Sequence, residues 1–162
     1  MDNHSNHART WRPPWDPSSK RLWVLGHPPS RLGVAVVGAR ASDPYGIEVA
    51  SRSARSAVRL GFSVVSGGAE GCDRSAHEAT IDEGGQTVVV LAGGLDRPYP
   101  AAHRALFDRV VACGGALVTA YPLGTPPRPH RFLERNRLIA SLSAAVVVAR
   151  ARSRSGALTT AR

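Results

Sequence analysis

The residues best suited to chemistry form a glycine loop, Ser66-Gly67-Gly68-Ala69-Glu70-Gly71-Cys72-Asp73, directly after the apolar run Phe62 to Val65. That run is rich in β-formers and too short for a buried helix. Gly67, Gly68 and Gly71 let the backbone turn tightly and come close to a ligand. From Glu70 to about Glu83 the pattern becomes helical. A loop between a strand and a helix start can aim backbone N–H groups at an anion, and the helix end adds partial positive charge. Phosphate therefore fits, with Ser66, Gly67, Gly68 and Gly71 as its seat. A plain strand-to-helix turn is the alternative, because neither the dinucleotide spacing G-x-G-x-x-G nor the Gly-Lys-Ser/Thr of a nucleotide loop is present.

Arg40 follows the apolar run Val34 to Val37. Its guanidinium fork suits a phosphate, which accepts two parallel hydrogen bonds. Asp73 and His77 stand four residues apart and share a helix face. They read as an acid–base pair or as a local bond that steadies the glycine loop. With no nucleophile beside them, the supporting role is preferred. Arg135-Asn136-Arg137 falls in a helical segment. Its two arginines diverge by about 200° around the axis, so both cannot face one phosphate. One is expected on the ligand, while the other pairs with Glu134 or reaches a neighbouring nucleotide; Asn136 is expected on nearby backbone. Tyr99, Tyr121 and Phe132 interleave with these arginines, as suits a single strand whose bases stack while its phosphates pair. Core packing is the commoner fate of any one of them.

Charge supports a polyanion partner. The 162 residues carry a net charge of +9, unevenly spread. Residues 34–127 are nearly balanced, whereas residues 128–162 hold eight arginines against Glu134 alone. Such one-sided basicity is the footprint of nucleic acid. Arg150, Arg152 and Arg154 add diffuse positive potential. Lys20 is the lone lysine, which reflects coding bias but does not explain the missing acids. Cys72 and Cys113 form no metal spacing and suggest no oxidising compartment. No metal or cofactor is expected. No segment has signal-peptide or membrane-span character, so a cytoplasmic location and no membrane partner are expected.

Residues 1–32 read as an irregular arm rich in Pro and Trp, with Leu22 to Leu25 as a short extended piece. Trp11, Trp15 and Trp23 are expected to pin the arm to the core rather than stack on bases. From residue 33 to 162 short apolar strands alternate with helices. The strands are Val34 to Val37, Phe62 to Val65, Thr87 to Leu91, Ala116 to Thr119 and Ala144 to Ala149. The helices are Pro44 to Leu60, Glu70 to Glu83, Ala101 to Cys113, Phe132 to Leu142 and a last one from Ser155-Gly156. This pattern predicts an α/β three-layer sandwich, Rossmann-like, with a mostly parallel sheet. The loops that follow strands should gather at one end of it, where ligands bind.

Taken in order, those loops resemble the DNA-processing protein A family (DprA/Smf). The matching segments are Val37-Gly-Ala-Arg40 with Tyr45-Gly46, Ser66 to Asp73 with Ala76-His77, Gly94-Leu-Asp96 with Tyr99-Pro100, Tyr121-Pro122 with Gly124 to Pro129, Phe132 with Arg135-Asn-Arg137 and Ser141-Leu-Ser143, and Ser155 to Ala161. The resemblance spans Gly33 to Arg162. It implies a domain that binds single-stranded DNA, with Ser155 and Gly156 joining Arg40, the glycine loop and Arg135 to Arg137 at the DNA. It further implies a homodimer that protects incoming DNA and loads a RecA-type recombinase in natural transformation and recombination, without enzymatic activity. The chain departs from the pattern at Cys72, Ala120, Ala149 and around His103, and the family domain continues beyond Arg162.

Two alternatives belong to other classes. A nucleotide phosphoribohydrolase on a related fold would need Pro-Gly-Gly-x-Gly-Thr with glutamates, where this chain has Leu91-Ala-Gly-Gly94. A small-nucleotide sensor using the Ser66–Cys72 loop would not need the basic C-terminal third.

Overall fold

The computed structural model describes residues 8–151 and 156–161. One seven-stranded sheet runs through it in the order β1-β2-β6-β5-β4-β3-β7. The strands are β1 (Arg9–Trp11), β2 (Leu22–Gly26), β3 (Gly33–Gly38), β4 (Val64–Ser66), β5 (Thr87–Val90), β6 (Ala116–Thr119) and β7 (Ser143–Arg150). The helices are α1 (Pro44–Arg59), α2 (Cys72–Asp82), α3 (Arg104–Ala112, preceded by a 3-10 turn Ala101–His103), α4 (Pro129–Ser141) and α5 (Gly156–Ala161). Strands β3 to β7 are mutually parallel, and β1 and β2 are antiparallel additions at one edge.

Alternation along each strand sends its side chains to two cores. Ala35 and Val37 of β3 join Val65, Val88, Val90 and Val118 beneath Ile139 of α4 and Leu142 just after it. Val36 faces the other way, with Val64, onto Ala50, Ala54 and Ala57 of α1 and Ala76 and Ala79 of α2. Further along that second face, Val89, Leu91 and Leu117 pack on Leu106, Phe107 and Val110 of α3. Small residues on α1 and α2 bring those helices close to the sheet. Asp43 caps α1, its Oδ1 accepting from Gly46 N–H at 2.9 Å, and Pro44 takes the first turn.

The chain winds outward from β3 to β6 with α1, α2 and α3 on one face. It then returns by α4 on the opposite face to place β7 on the far side of β3. Neighbouring strands β3 and β7 are thus followed by helices on opposite faces, α1 on one and α5, beside α4, on the other. A crevice opens at such a switch point.

The arm differs from the irregular segment expected. Trp23 of β2 pairs with Thr119 of β6, and Trp11 of β1 pairs with Leu22 of β2. The arm thus extends the sheet past β6. The tryptophans meet the expectation of pinning: Trp11 and Trp15 touch edge-to-face at 5.9 Å and pack on the α4-side core beside Leu138. No helix among the described residues is long and apolar enough to cross a membrane.

Candidate nucleic-acid interface

The switch-point crevice is a cleft of about 390 Å³. Its walls come from the β3–α1 loop (Gly38 to Ala41), from α4 (Phe132, Arg135, Asn136) and from α5 (Ala157, Thr160). A smaller pocket of about 80 Å³ adjoins it, sharing Arg40, Ala69, Phe132 and Arg135 and adding Glu70, Tyr99 and Pro100.

Phe132 stands between them. The Arg40 guanidinium lies 5.3 Å from its ring centre, the Arg135 guanidinium 5.5 Å from it, and the Tyr99 ring meets it edge-on at 5.6 Å. Arg40 is exposed and Tyr99 is 47% exposed. An outward cation thus sits beside an open aromatic pair, which can hold a phosphate and a stacked base together.

The glycine loop differs from the open anion seat expected of it. The N–H groups of Gly67 and Ala69 point at the loop's own Asp73, reaching Oδ2 at 3.2 and 3.4 Å. The carboxylate fills the nest a phosphate would occupy. Burial pushes the Asp73 carboxyl above its ordinary range, opposed by Arg135 and by the N–H groups of Ala69, Gly38 and Gly67. Ser66 does not face a ligand either: its Oγ donates to Val36 O at 2.6 Å and is fully buried. Gly68 and Gly71 do have positive φ, +73° and +78°. Their close neighbours are protein. A Cβ at Gly68 would come within 2.8 Å of the Phe107 ring, and one at Gly71 would strike the carbonyl oxygens of Ala39 and Arg40.

Arg135 is 8% exposed. Its Nη1 donates to Gly67 O at 2.6 Å and to Val90 O at 3.3 Å, and its Nε donates to Asn136 Oδ1 at 3.1 Å. Burial lowers its pKa, while Asp73 opposes that shift. Arg135 therefore cements the C-terminal ends of β4 and β5 and lines the cleft from below. Asn136, 7% exposed, lines it too. Arg137 is exposed and lines neither pocket, in keeping with the divergence of the two arginines around α4. Ser155 lies outside the described residues. Gly156 begins α5, one residue before the cleft-lining Ala157.

His77 does not bond to Asp73 or the loop. Its Nδ1 lies 2.7 Å from Thr87 Oγ1, whose hydroxyl donates to Val64 O at 3.0 Å. Thr87 must then accept from His77 Nδ1–H. That leaves Nε2 bare, buried and without a hydrogen-bond partner. Burial, reinforced by His103 and Arg135, pulls the His77 pKa down to about 3.

Loop support comes instead from His103, whose role could not be read from the sequence. Its Nδ1 lies 2.8 Å from Gly68 O and its Nε2 2.6 Å from Glu70 Oε1, and its ring packs edge-on against Phe107 at 6.1 Å. The His103 hydrogen bond is the main cause holding the Glu70 carboxyl below its ordinary range. The position of His103 just after Tyr99-Pro100 was visible, but its partners lie over thirty residues away in sequence.

Comparison with known proteins places this arrangement in a lineage. The family model described as DNA recombination-mediator protein A matches residues 9–162. A DNA processing protein DprA of Mycobacterium tuberculosis is 51% identical over 146 residues, which cover 86% of this chain and 37% of that protein. The crystal structure of DprA from Streptococcus pneumoniae superposes with a TM-score of 0.77 at 34% identity, covering 87% of this chain and 50% of the other. DNA processing protein A from Helicobacter pylori, described for its single-stranded DNA binding mode, gives 0.82 at 28% identity over 96% of this chain and 74% of the other. The chain spans well under half the length of the curated relatives it matches. It belongs to the DNA recombination-mediator protein A family, the DprA/Smf proteins.

Proposed function

We propose that the cleft binds single-stranded DNA, with a phosphate on Arg40 and a base against Phe132 and Tyr99. The observation that carries this reading is the Arg40–Phe132–Tyr99 group at the mouth of a cleft formed where the sheet's loops diverge. Asp73, Ser66 and Arg135 act behind it, holding the loop in shape. The binding mode described for the Helicobacter pylori relative supports the ligand class. On this reading the chain works as the DNA-binding part of a DNA-processing protein. The homodimer, the hand-over to a RecA-type recombinase and the role in natural transformation and recombination belong to the same proposal, on family grounds.

A binding role fits the state of the acids. Asp73 is bonded to loop N–H groups and Glu70 to His103, so neither is placed as a free general base. The test is a titration with oligo-dT beside a panel of mononucleotides. Oligo-dT should bind, and three to five phosphate contacts should give a log–log salt slope of about −2 to −3.5. Arg40→Ala should weaken binding with an unchanged melting temperature, because the exposed side chain contributes a donor rather than packing. Binding of a mononucleotide with no gain from the polymer would instead favour the sensor reading.

A further inference from the structure

We infer that the segment between β1 and β2 (residues 12–21) is a second contact surface for the same single strand, extending its path from the Arg40 cleft across the end of the sheet. The inference rests on the reading of the cleft as a single-stranded DNA site.

Strand register puts the segment at the correct end. Trp11 pairs with Leu22 and Trp23 with Thr119. Thr119 ends β6 at the end of the sheet where β3 delivers Arg40. The connection from residue 12 to 21 therefore sits at the ligand end, although β2 runs opposite to the strands that form the cleft.

Its charge suits a backbone. Arg12, Lys20 and Arg21 face one acid, Asp16, and that acid's Oδ1 accepts from Ser18 Oγ at 2.6 Å. Arg12, Lys20 and Arg21 are all exposed. Arg12 donates to Pro17 O at 2.9 Å and fixes the turn; on the return limb Lys20 and Arg21 are exposed, with Arg21 Nη1 donating to Thr10 Oγ1 at 3.3 Å. The segment is held in place by the Trp11–Trp15 pair against the α4-side core, so the cations are presented on a fixed support.

The ground between is compatible with a strand. Four strand intervals separate β2 from β3, about 19 Å at the usual spacing, a distance several nucleotides can bridge. At the start of α4 lie Arg131 and Tyr121, with the guanidinium 5.2 Å from the ring centre. Glu134 accepts the Tyr121 hydroxyl, and Asp96 accepts from Gly124 N–H in the same connection. An arginine stacked on an aromatic ring thus stands where the chain passes from β6, the neighbour of β2, into the cleft-lining helix α4.

The experiment compares a short oligo-dT of about five nucleotides with a long one of about twenty, lengths that bracket single-module site sizes, on the full chain and on Lys20→Gln/Arg21→Gln. The double variant should lose about tenfold on the long oligonucleotide, and its salt slope should shrink by about 1.4 for two lost phosphates. Binding of the short one should be unchanged. Arg40→Ala should weaken both lengths. If the double variant matches wild type on the long oligonucleotide while Arg40→Ala does not, the second surface is refuted and the cleft stands. Equal loss on both lengths also refutes it, because the segment would then act through the cleft. Should wild type bind neither length, the cleft reading fails and this inference with it.

Discussion

At the scale of single residues, His77 shows how a buried titratable group reports on the fold. Thr87 fixes its tautomer and leaves Nε2 bare in the core, so protonation would place an unsolvated cation there. The folded pKa is about 3, against 6.5 ordinarily. The unfolded chain therefore binds the extra proton first as pH falls. His77 contributes its full stability above pH 6.5 and loses it progressively toward pH 3, with a limiting slope of about 1.4 kcal/mol per pH unit. Urea unfolding of wild type and His77→Gln across that range should show the steeper acid loss in wild type. Parallel curves would mean that His77 keeps its solution pKa. The sequence placed Asp73 and His77 on one helix face, and they do share a helix. Their partners were not legible, because Gly67 N–H comes from the loop before α2 and Thr87 from the strand after it. Arg135 was harder still. An arginine beside Asn136 and Arg137 reads as surface, and its burial is paid for by the carbonyls of Gly67, just after β4, and Val90, at the end of β5, which only the assembled sheet brings together.

At the scale of elements, apolar runs and capping signals were a sufficient guide to five strands and five helices. Boundaries moved where proline misled: α4 starts at Pro129 rather than Phe132, since Pro at a first helical turn looks like the end of the preceding loop. The strand Arg9–Trp11 had too few residues, and no alternation, to stand out. The glycine loop is the element whose partners were least legible, because two of its N–H groups meet Asp73. Gly68 and Gly71 have the positive φ of a tight turn, and the turn packs on the carbonyls of Ala39 and Arg40 and on the Asp73 carboxylate. Two substitutions separate conformation from crowding. Gly84→Ala has the same sign of φ, +75°, with nothing within 4 Å of the new Cβ, so it should cost about 1 kcal/mol of backbone strain. Gly71→Val adds a collision with Ala39 and Arg40 carbonyls and should cost about 2–4 kcal/mol. It should also weaken oligo-dT binding by displacing Arg40. Equal urea midpoints for the two variants would show that the β3–α1 loop yields freely.

At the scale of the whole molecule, charge and topology act together. The near-neutral middle of the chain builds most of the sheet, and the flanking segments bring Lys20, Arg21, Arg131 and Arg135 to the end of it where Arg40 stands. That overall charge pattern was legible; which cations reach the cleft was not, because it depends on sheet order. The same order has a consequence for the chain as it is made. Strands β2 and β3 are synthesised first among the long ones, yet they are not neighbours. Gly33 to Gly38 waits for Ser143 to Arg150 on one side, and Leu22 to Gly26 waits for Ala116 to Thr119. A growing polypeptide emerging from the ribosome therefore carries open apolar edges until β7 is out, and such edges invite pairing with other chains. Nascent chains arrested with Leu142 just outside the ribosome should be cut readily by protease and should associate, while those arrested with Ala161 outside should resist. Equal resistance of the two would mean that β4 alone is enough to shield β3, and that translation need not hurry past the last strand.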